Sequence, residues 1–423
     1  MFQKRILLAI LFCTSFLIFN VGSVTSIGPE IVLSETRPVR MVKCSSYEPR
    51  FNKYFNDFKI IIDSSDQIYI GGQISHDTYD SELLVTDLMG TLMWQNLSRD
   101  SQIYDIALDS LGNIYCTGIK YVDIFNTDIF LWKFDNSGAF KWERLINGFE
   151  NEWGRGIAID SLNNVYVAGY NSSEGMIAAK YNPLGEREWL INWGKELDAA
   201  CLDCTIDGSD NLYLVGTVSD LMGSDMCILK LDSLGGEMWN LTFPLVKGSY
   251  SDDRLWNVVS DANNYIYVLG DIFERTIYVA QFDSNGCNLW NTTWMLDNKV
   301  LGVSDLAVDT EENVYVVGNY KPYETSDWRY DNQRFSYLVK FQHGNEKWHY
   351  YWKFSEYTRV SSIALNDGEI YVCGSSDGEL FLVNFSESVP IIALYALFSW
   401  LGGALTIFII ISSFSKKKKI RES

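Results

Sequence analysis

The sequence predicts an all-β protein, a seven-bladed β-propeller of four-stranded antiparallel blades, followed by one C-terminal transmembrane helix. Three observations predict it. An Asp-x-x-x-Asn-x-Tyr-x-x-Gly motif returns with a period of about fifty residues, a glycine-to-tryptophan motif follows it, and an apolar, uncharged run precedes a basic tail.

The first motif reads Asp109, Asn113, Tyr115, Gly118; Asp160, Asn164, Tyr166, Gly169; Asp207, Asn211, Tyr213, Gly216; and Asp309, Asn313, Tyr315, Gly318. Looser copies keep Asp63, Tyr69, Gly72 and Asp261, Tyr267, Gly270, and a shorter seventh keeps Asn366, Tyr371 and Gly374. After the first six copies a glycine precedes a tryptophan by four residues: Gly90 and Trp94, Gly138 and Trp142, Gly185 and Trp189, Gly235 and Trp239, Gly286 and Trp290, Gly344 and Trp348. Turn-formers Asp87, Asp135, Asn182, Asp232 and Asp283 stand seven residues before five of these tryptophans.

Two hairpins per repeat follow from the residue types. Apolar stretches such as 106–108 end at an Asp whose side chain turns the chain, and β-branched and aromatic residues resume directly after it. Segments such as 130–134 reach Asp135, turn through Gly138 and leave on an aromatic strand. Four strands repeated seven times, with no helical periodicity between them, describe a propeller better than a sandwich. The period is too long for a parallel β-helix. The acids Asp109, Asp160, Asp207, Asp261 and Asp309 recur once per blade and read as turn-formers, and the tryptophans read as packing between twisted sheets.

These motifs resemble the bacterial and archaeal SBBP β-propeller repeat over about residues 55–386. The resemblance implies blades of the form D-x-x-G-N-x-Y-V-x-G with a K-x-D-x-x-G turn, in extracellular and often anchored surface proteins. The stretch from Leu231 to Trp239 is also similar to the tryptophan motif of quinoprotein propellers. Those enzymes usually carry eight blades around a central cofactor, whereas seven copies stand here, so no cofactor is expected.

The two ends set the topology. Lys4 and Arg5 precede an apolar run from Ile6 to Phe19, and Gly22, Ser23 and Ser26 follow, the pattern of a secretory signal over residues 1–26. Residues 27–388 form the ectodomain, with no Pro-, Gly- or Ser-rich linker to divide it. Residues 389–415 are long enough to cross a ~30 Å hydrocarbon core. Residues 416–423, with Lys416 to Lys419 and Arg421, form a basic tail that stays cytoplasmic. A single-pass protein of the cell membrane is expected, with its propeller on the extracellular side.

Charge and cysteine usage narrow the partners. The formal net charge is −20, and such a surface repels phosphate backbones, which excludes nucleic acid. Cys13 falls in the signal, leaving Cys44, Cys116, Cys201, Cys204, Cys227, Cys287 and Cys373, an odd set at irregular spacings with at least one thiol free or paired between chains. Cys201 and Cys204 form C-x-x-C within a predicted strand, where residues three apart point to opposite faces, which argues against a metal site.

The seventh repeat ends at Phe385 without its Gly and Trp. Counting back from Asp63 puts the missing fourth strand at about Pro38 to Cys44, paired with 379–385 and covering that edge. In this register Cys44 and Cys373 stand two strand spacings apart, roughly 9 to 10 Å, beyond the ~7 Å reach of a disulfide. They are expected to be unbonded.

With only His76, His343 and His349 available, no Ser/His/Asp set or His-rich metal cluster assembles, and no metal or catalytic residue is expected. The expected function is a non-catalytic recognition or surface-structure module that binds a glycan, peptide or protein. The alternative is an extracytoplasmic enzyme, either a polysaccharide-active hydrolase or a quinone-dependent dehydrogenase. The long connection between Gly318 and Tyr337 carries the candidate ligand-binding residues Tyr320, Tyr323, Trp328 and Tyr330, and Tyr357 in the next connection joins them beside Tyr351 and Trp352. Flat rings among carboxylates and an arginine suit sugar faces or a peptide; otherwise the same rings pack over blades six and seven. Sequons at Asn96, Asn171, Asn240, Asn291 and Asn384 mark candidate glycosylation sites.

Overall fold

The computed structural model describes residues 39–42, 58–386, 400–401 and 404–405, apart from the internal segments 76–79, 124–125, 147–150, 221–222, 244–250, 273–275, 297–299, 322–334, 356–357 and 377–378. The described backbone is antiparallel β nearly throughout, with one 3-10 turn at Lys195–Leu197 and no α-helix. It forms seven four-stranded sheets, the fourth and fifth of them bridged by a short parallel contact in which Gly223 faces Ser251. Six sheets span 58–98, 101–146, 152–193, 200–243, 251–294 and 300–352. The seventh takes three strands from 358–386, and its fourth is Val39–Val42, antiparallel to Glu379–Ser386 with Val39 opposite Phe385 and Val42 opposite Leu382.

The first strands of successive sheets touch in chain order. Phe58–Ile62 meets Ser101–Leu108, which meets Glu152–Ile159, then Ala200–Ile206, Ser251–Ser260, Val300–Val308 and Thr358–Asn366, and this last strand returns to Phe58–Ile62. Fourth strands such as Arg187–Trp193 and Glu237–Phe243 alternate exposed with half-buried residues, so the first strands lie inward and the fourth strands at the rim.

The motif residues explain the turns and the seams together. Asp109 accepts the amides of Leu111 and Asn113 on Oδ1, at 2.9 Å each, which closes the first hairpin of its sheet. Its Oδ2 accepts Asn113 Nδ2 at 2.7 Å and the Tyr115 hydroxyl at 3.2 Å. A buried carboxylate needs a compensating charge. Lys133 supplies it, with Nζ 3.9 Å from Asp109 Oδ2 and 4.8 Å over the Tyr115 ring, while donating at 3.1 Å to the Pro183 carbonyl of the next sheet. Lys180 and Lys230 repeat this latch, donating to the Ser233 and Ser284 carbonyls. In the fifth sheet Gln281 stands at that position and donates Nε2 to the Tyr267 hydroxyl at 2.7 Å.

The tryptophans work on the same seams. Trp142 sits edge-on to Tyr115 with centroids 5.9 Å apart, and Trp189 and Trp239 each donate Nε1 at 3.2 Å to the serine carbonyls that the lysines use. The turn glycine of the following sheet then rests on the indole face. At Gly138, φ is +84° and a Cβ would come within 2.8 Å of the Trp94 ring, so the position demands both left-handed backbone and the absence of a side chain.

One expectation from strand geometry is overturned. A β-bulge at Leu202 sets Cys201 opposite Gly216 and Cys204 opposite Leu214, so the extra residue returns both thiols to one face, where they enter a single cluster with Cys227. Both are buried, and burial holds both thiols well above the ordinary range. Among the described residues no group of three His, Cys, Asp or Glu could hold a metal ion.

No helix among the described residues is long and apolar enough to cross a membrane. The expected signal over 1–26 lies outside them, as does most of 389–415. Within that run only Trp400–Leu401 and Ala404–Leu405 are described, paired antiparallel with each other.

Candidate functional site

The glycine that closes the first motif creates the site. A Cβ on Gly118 would overlap the carbonyl oxygen of Gln102, and one on Gly169 or Gly216 would overlap that of Trp153 or Ala200. Only glycine admits so close a carbonyl, and the carbonyl comes close because the first strand is bulged two residues later. Register shifts fall between Ile103 and Asp105, Gly154 and Gly156, Cys201 and Asp203, Leu255 and Asn257, Val303 and Asp305, and Val360 and Ser362.

A bulge bends its strand and re-aims a side chain. The extra residues Tyr104, Arg155, Leu202, Trp256, Ser304 and Ser361 therefore all line one cavity of about 330 Å³ between the first strands. Four of the residues that follow them, Asp105, Asp203, Asn257 and Asp305, line it too, and the first sheet adds Phe58 and Lys59.

The three aspartates are clasps between sheets. Asp105 accepts the Ile106 amide on Oδ1 and the Ile157 amide of the third sheet on Oδ2, both at 2.9 Å. Asp203 does the same with Cys204 at 2.8 Å and Val258 of the fifth sheet at 2.9 Å. Asp305 takes Leu306 at 3.0 Å, and from the seventh sheet the Ile363 amide at 3.2 Å and the Ser362 hydroxyl. Thus the second, fourth and sixth sheets each hold the one after it. Ser362 Oγ in turn accepts the Ile60 amide at 3.2 Å, which ties the seventh sheet to the first.

Charge in this confined space is compensated unevenly. Lys59 Nζ lies 3.0 Å from Asp305 Oδ1. Burial works to lower the Lys59 ammonium, yet Asp305, then Asp105 and Asp203, outweigh it and hold it above the usual amine range. Burial pushes the Asp203 carboxyl up to about 8, opposed by Lys59 and reinforced by Asp105. The same cause raises Asp105 to about 6, again against Lys59.

Two other groups each keep a buried polar atom unsatisfied. Arg155 has its Cζ 4.6 Å from the Tyr104 ring centroid and 5.8 Å from that of Tyr170, while its guanidinium makes no hydrogen bond or ion pair with a described residue and its Nε is buried. Asn257 reaches Asp305 with Nδ2 at 3.4 Å, but its Oδ1 is buried with no donor. Beside Asn257 in sequence, Trp256 donates Nε1 to Asp271 at 2.9 Å.

The residues anticipated for ligand binding do not assemble here. Tyr320 is only 3% exposed and stacks on Phe335 at 5.0 Å with 13° between the rings, edge-on to Tyr351, so it belongs to the packing between the fifth and sixth sheets. Trp352 is buried against Phe354 and Phe385. Tyr323, Trp328, Tyr330 and Tyr357 lie outside the described residues. Of the sequons, Asn240 and Asn291 are exposed and Asn96 is half-buried on fourth strands. Asn171 is 4% exposed with Nδ2 bonded to Glu152 at 2.8 Å, and Asn384 is 7% exposed, so neither has room for a glycan in the folded chain.

The sequence repeat highlights the positions that recur, and the axial residues do not. Their signal is a position that varies, four residues before each turn Asp or, in the seventh copy, Asn366: Lys59, Asp105, Gly156, Asp203, Asn257, Asp305 and Ser362. A charge in the middle of an apolar strand such as Ser101–Leu108 has to be satisfied inside, and this ring satisfies it.

Comparison with known families matches one of these repeats. Residues 150–173, which hold the first hairpin of the third sheet, match the SBBP β-propeller repeat. Among solved structures the chain is similar to the crystal structure of a protein of unknown function from Bacteroides caccae, at 11% identity and a TM-score of 0.43, over 67% of this chain and 93% of that one. No curated protein matches it. The described chain is an all-β protein of four-stranded antiparallel sheets, one of which carries a match to a β-propeller repeat.

Proposed function

We propose that the chain is a closed seven-bladed β-propeller, exported and held at the outer face of a membrane by its apolar run at 389–415, and that it acts there as a non-catalytic recognition module. Closure is supported by the return of Thr358–Asn366 to Phe58–Ile62 and by the bond from Ile60 to Ser362. Anchoring is supported by the apolar run, the basic residues that follow it and the signal-like start.

The observation that carries the binding role is the use made of the cavity acids. General acid–base work needs a carboxyl within reach of substrate and able to exchange its proton. Here each of Asp105, Asp203 and Asp305 has its oxygens engaged by main-chain amides of two sheets, which builds them into the framework. What remains is a rigid polar cup with aromatic walls, suited to holding a ligand.

Pull-down from intact cells with the tagged full-length chain tests this role, together with protease accessibility of the propeller and protection of the tail. A retained surface partner without turnover of it supports the reading; a chain recovered only from the cytosolic fraction overturns it. A second reading, an extracytoplasmic polysaccharide hydrolase, is favoured by one observation, the proton that Asp203 keeps to about pH 8. Glycan cleavage that disappears in Asp203→Asn would establish that reading in place of the first.

A further inference from the structure

We propose that the axial cavity binds a small organic carboxylate, with Arg155 gripping the carboxylate and Asn257 Oδ1 accepting a hydrogen bond from a hydroxyl or ammonium on the same molecule. This assigns a ligand class to the recognition role proposed above and rests on it.

The fold leaves the Arg155 guanidinium without an acceptor among the described residues. Lys59 is taken by Asp305, and the aspartates are taken by main-chain amides. Arg155 is not taken. Its planar fork of five donors lies over the Tyr104 and Tyr170 rings on the wall of the cavity, with no acceptor among the described residues. A guanidinium fixed by stacking has already lost its rotamer freedom, and the geometry it presents fits a carboxylate bidentately. The desolvated Nε makes that vacancy costly until an acceptor fills it.

Asn257 adds the complementary demand. Its buried Oδ1 needs a donor, and it lies two sheets around the axis from Arg155, so one ligand must span acceptor and donor functions across the cavity. A volume of about 330 Å³ admits a monosaccharide acid or an amino acid but not a folded segment. Trp256 supplies a flat wall against which the CH face of a sugar or an aliphatic chain can lie. The elevated Asp203 keeps its proton at neutral pH and the Lys59 ammonium offsets Asp305, which moderates the repulsion that an entering anion meets.

Isothermal titration and thermal shift on the full-length chain decide the matter, with D-glucuronate and L-glutamine as carboxylates and D-glucose as the neutral control. The expected result is binding and a raised melting temperature with at least one carboxylate and none with glucose. Arg155→Gln is expected to weaken that binding at least tenfold while Arg155→Lys recovers part of it. Preference for glucuronate identifies a sugar acid, and preference for glutamine an amino acid. Should neither carboxylate bind, or glucose bind as well as glucuronate, or a folded Arg155→Gln chain keep full affinity, the assignment is overturned. If Arg155→Gln still captures the cell-surface partner while no carboxylate binds, the recognition role stands and this site alone falls.

Discussion

Lys59 Nζ lies 3.0 Å from Asp305 Oδ1, joining the first sheet to the sixth although 246 residues separate the two in sequence. The pair links three sheets at their first strands, because Asp305 also holds the seventh sheet through Ile363 and Ser362. Removing one partner of a buried pair leaves the other charge uncompensated, at a cost of about 3 kcal/mol. Lys59→Met should therefore lower stability by that order and shift the urea midpoint clearly. Lys141, on the fourth strand of the second sheet and in a more exposed ion pair with Asp135, provides the control: Lys141→Met should shift the urea midpoint far less. Equal effects in the two variants would contradict the axial role of Lys59.

Stability should also fall as the solution becomes alkaline. Asp105 and Asp203 are raised to about 6 and about 8 by burial, well above the ~3.9 of an unfolded aspartate. A raised carboxyl favours folding while it holds its proton. Its contribution is complete below the unfolded value and is lost as pH climbs through about 6 for one group and about 8 for the other. Asp203→Asn removes the upper of these titrations, so the slope of unfolding free energy between pH 6 and pH 9 should flatten in that variant. An unchanged slope would show that Asp203 ionises in the folded chain as it does in the unfolded one.

The turn glycines separate backbone strain from ring contact. Gly112 and Gly138 both have left-handed φ, +76° and +84°. A Cβ on Gly112 meets nothing nearer than 3.6 Å, whereas one on Gly138 would press into the Trp94 ring. Gly112→Ala should cost only the ~1 to 2 kcal/mol of a left-handed residue, and Gly138→Ala should cost more, because the indole is held in the seam. The excess should vanish in a Trp94→Ala background, where the two substitutions become equivalent. Thermal unfolding of the four variants and the parent measures it.

How much of this was legible in the sequence depends on what repeats. Asp109, Tyr115, Gly138 and Trp142 recur because each sheet must solve the same turn and the same seam, and a period of about fifty residues exposes them. Arg155, Asp203 and Lys59 face a shared axis where each sheet meets a different environment, so they vary from copy to copy and no self-alignment highlights them. The bulge is equally hidden. It leaves a trace only in the glycine opposite, as at Gly216, and without it Cys201 and Cys204 count to opposite faces instead of one. The aromatic residues near Gly318 signalled burial as readily as binding, and at Tyr320 it is burial that the fold uses.

The cysteines give a direct check on that bulge. Alkylation needs the thiolate and access, and burial denies both. Cys116, Cys201, Cys204, Cys227 and Cys373 are buried, and Cys287, in the second turn of the fifth sheet, is exposed. Burial pushes Cys227 up to about 12 and raises Cys116, Cys201 and Cys204 as well. Iodoacetamide at pH 8 should therefore label Cys287 alone among these six in the folded chain, and all six in urea, as read by mass spectrometry of the digested peptides. Labelling of the buried set should proceed no faster than the sheets open. With the register Cys201 opposite Gly216 and Cys204 opposite Leu214, the two thiols must become reactive together as the fourth sheet opens. Rapid modification of Cys204 with Cys201 still protected would mean that the strand is unbulged and that the two side chains leave opposite faces after all.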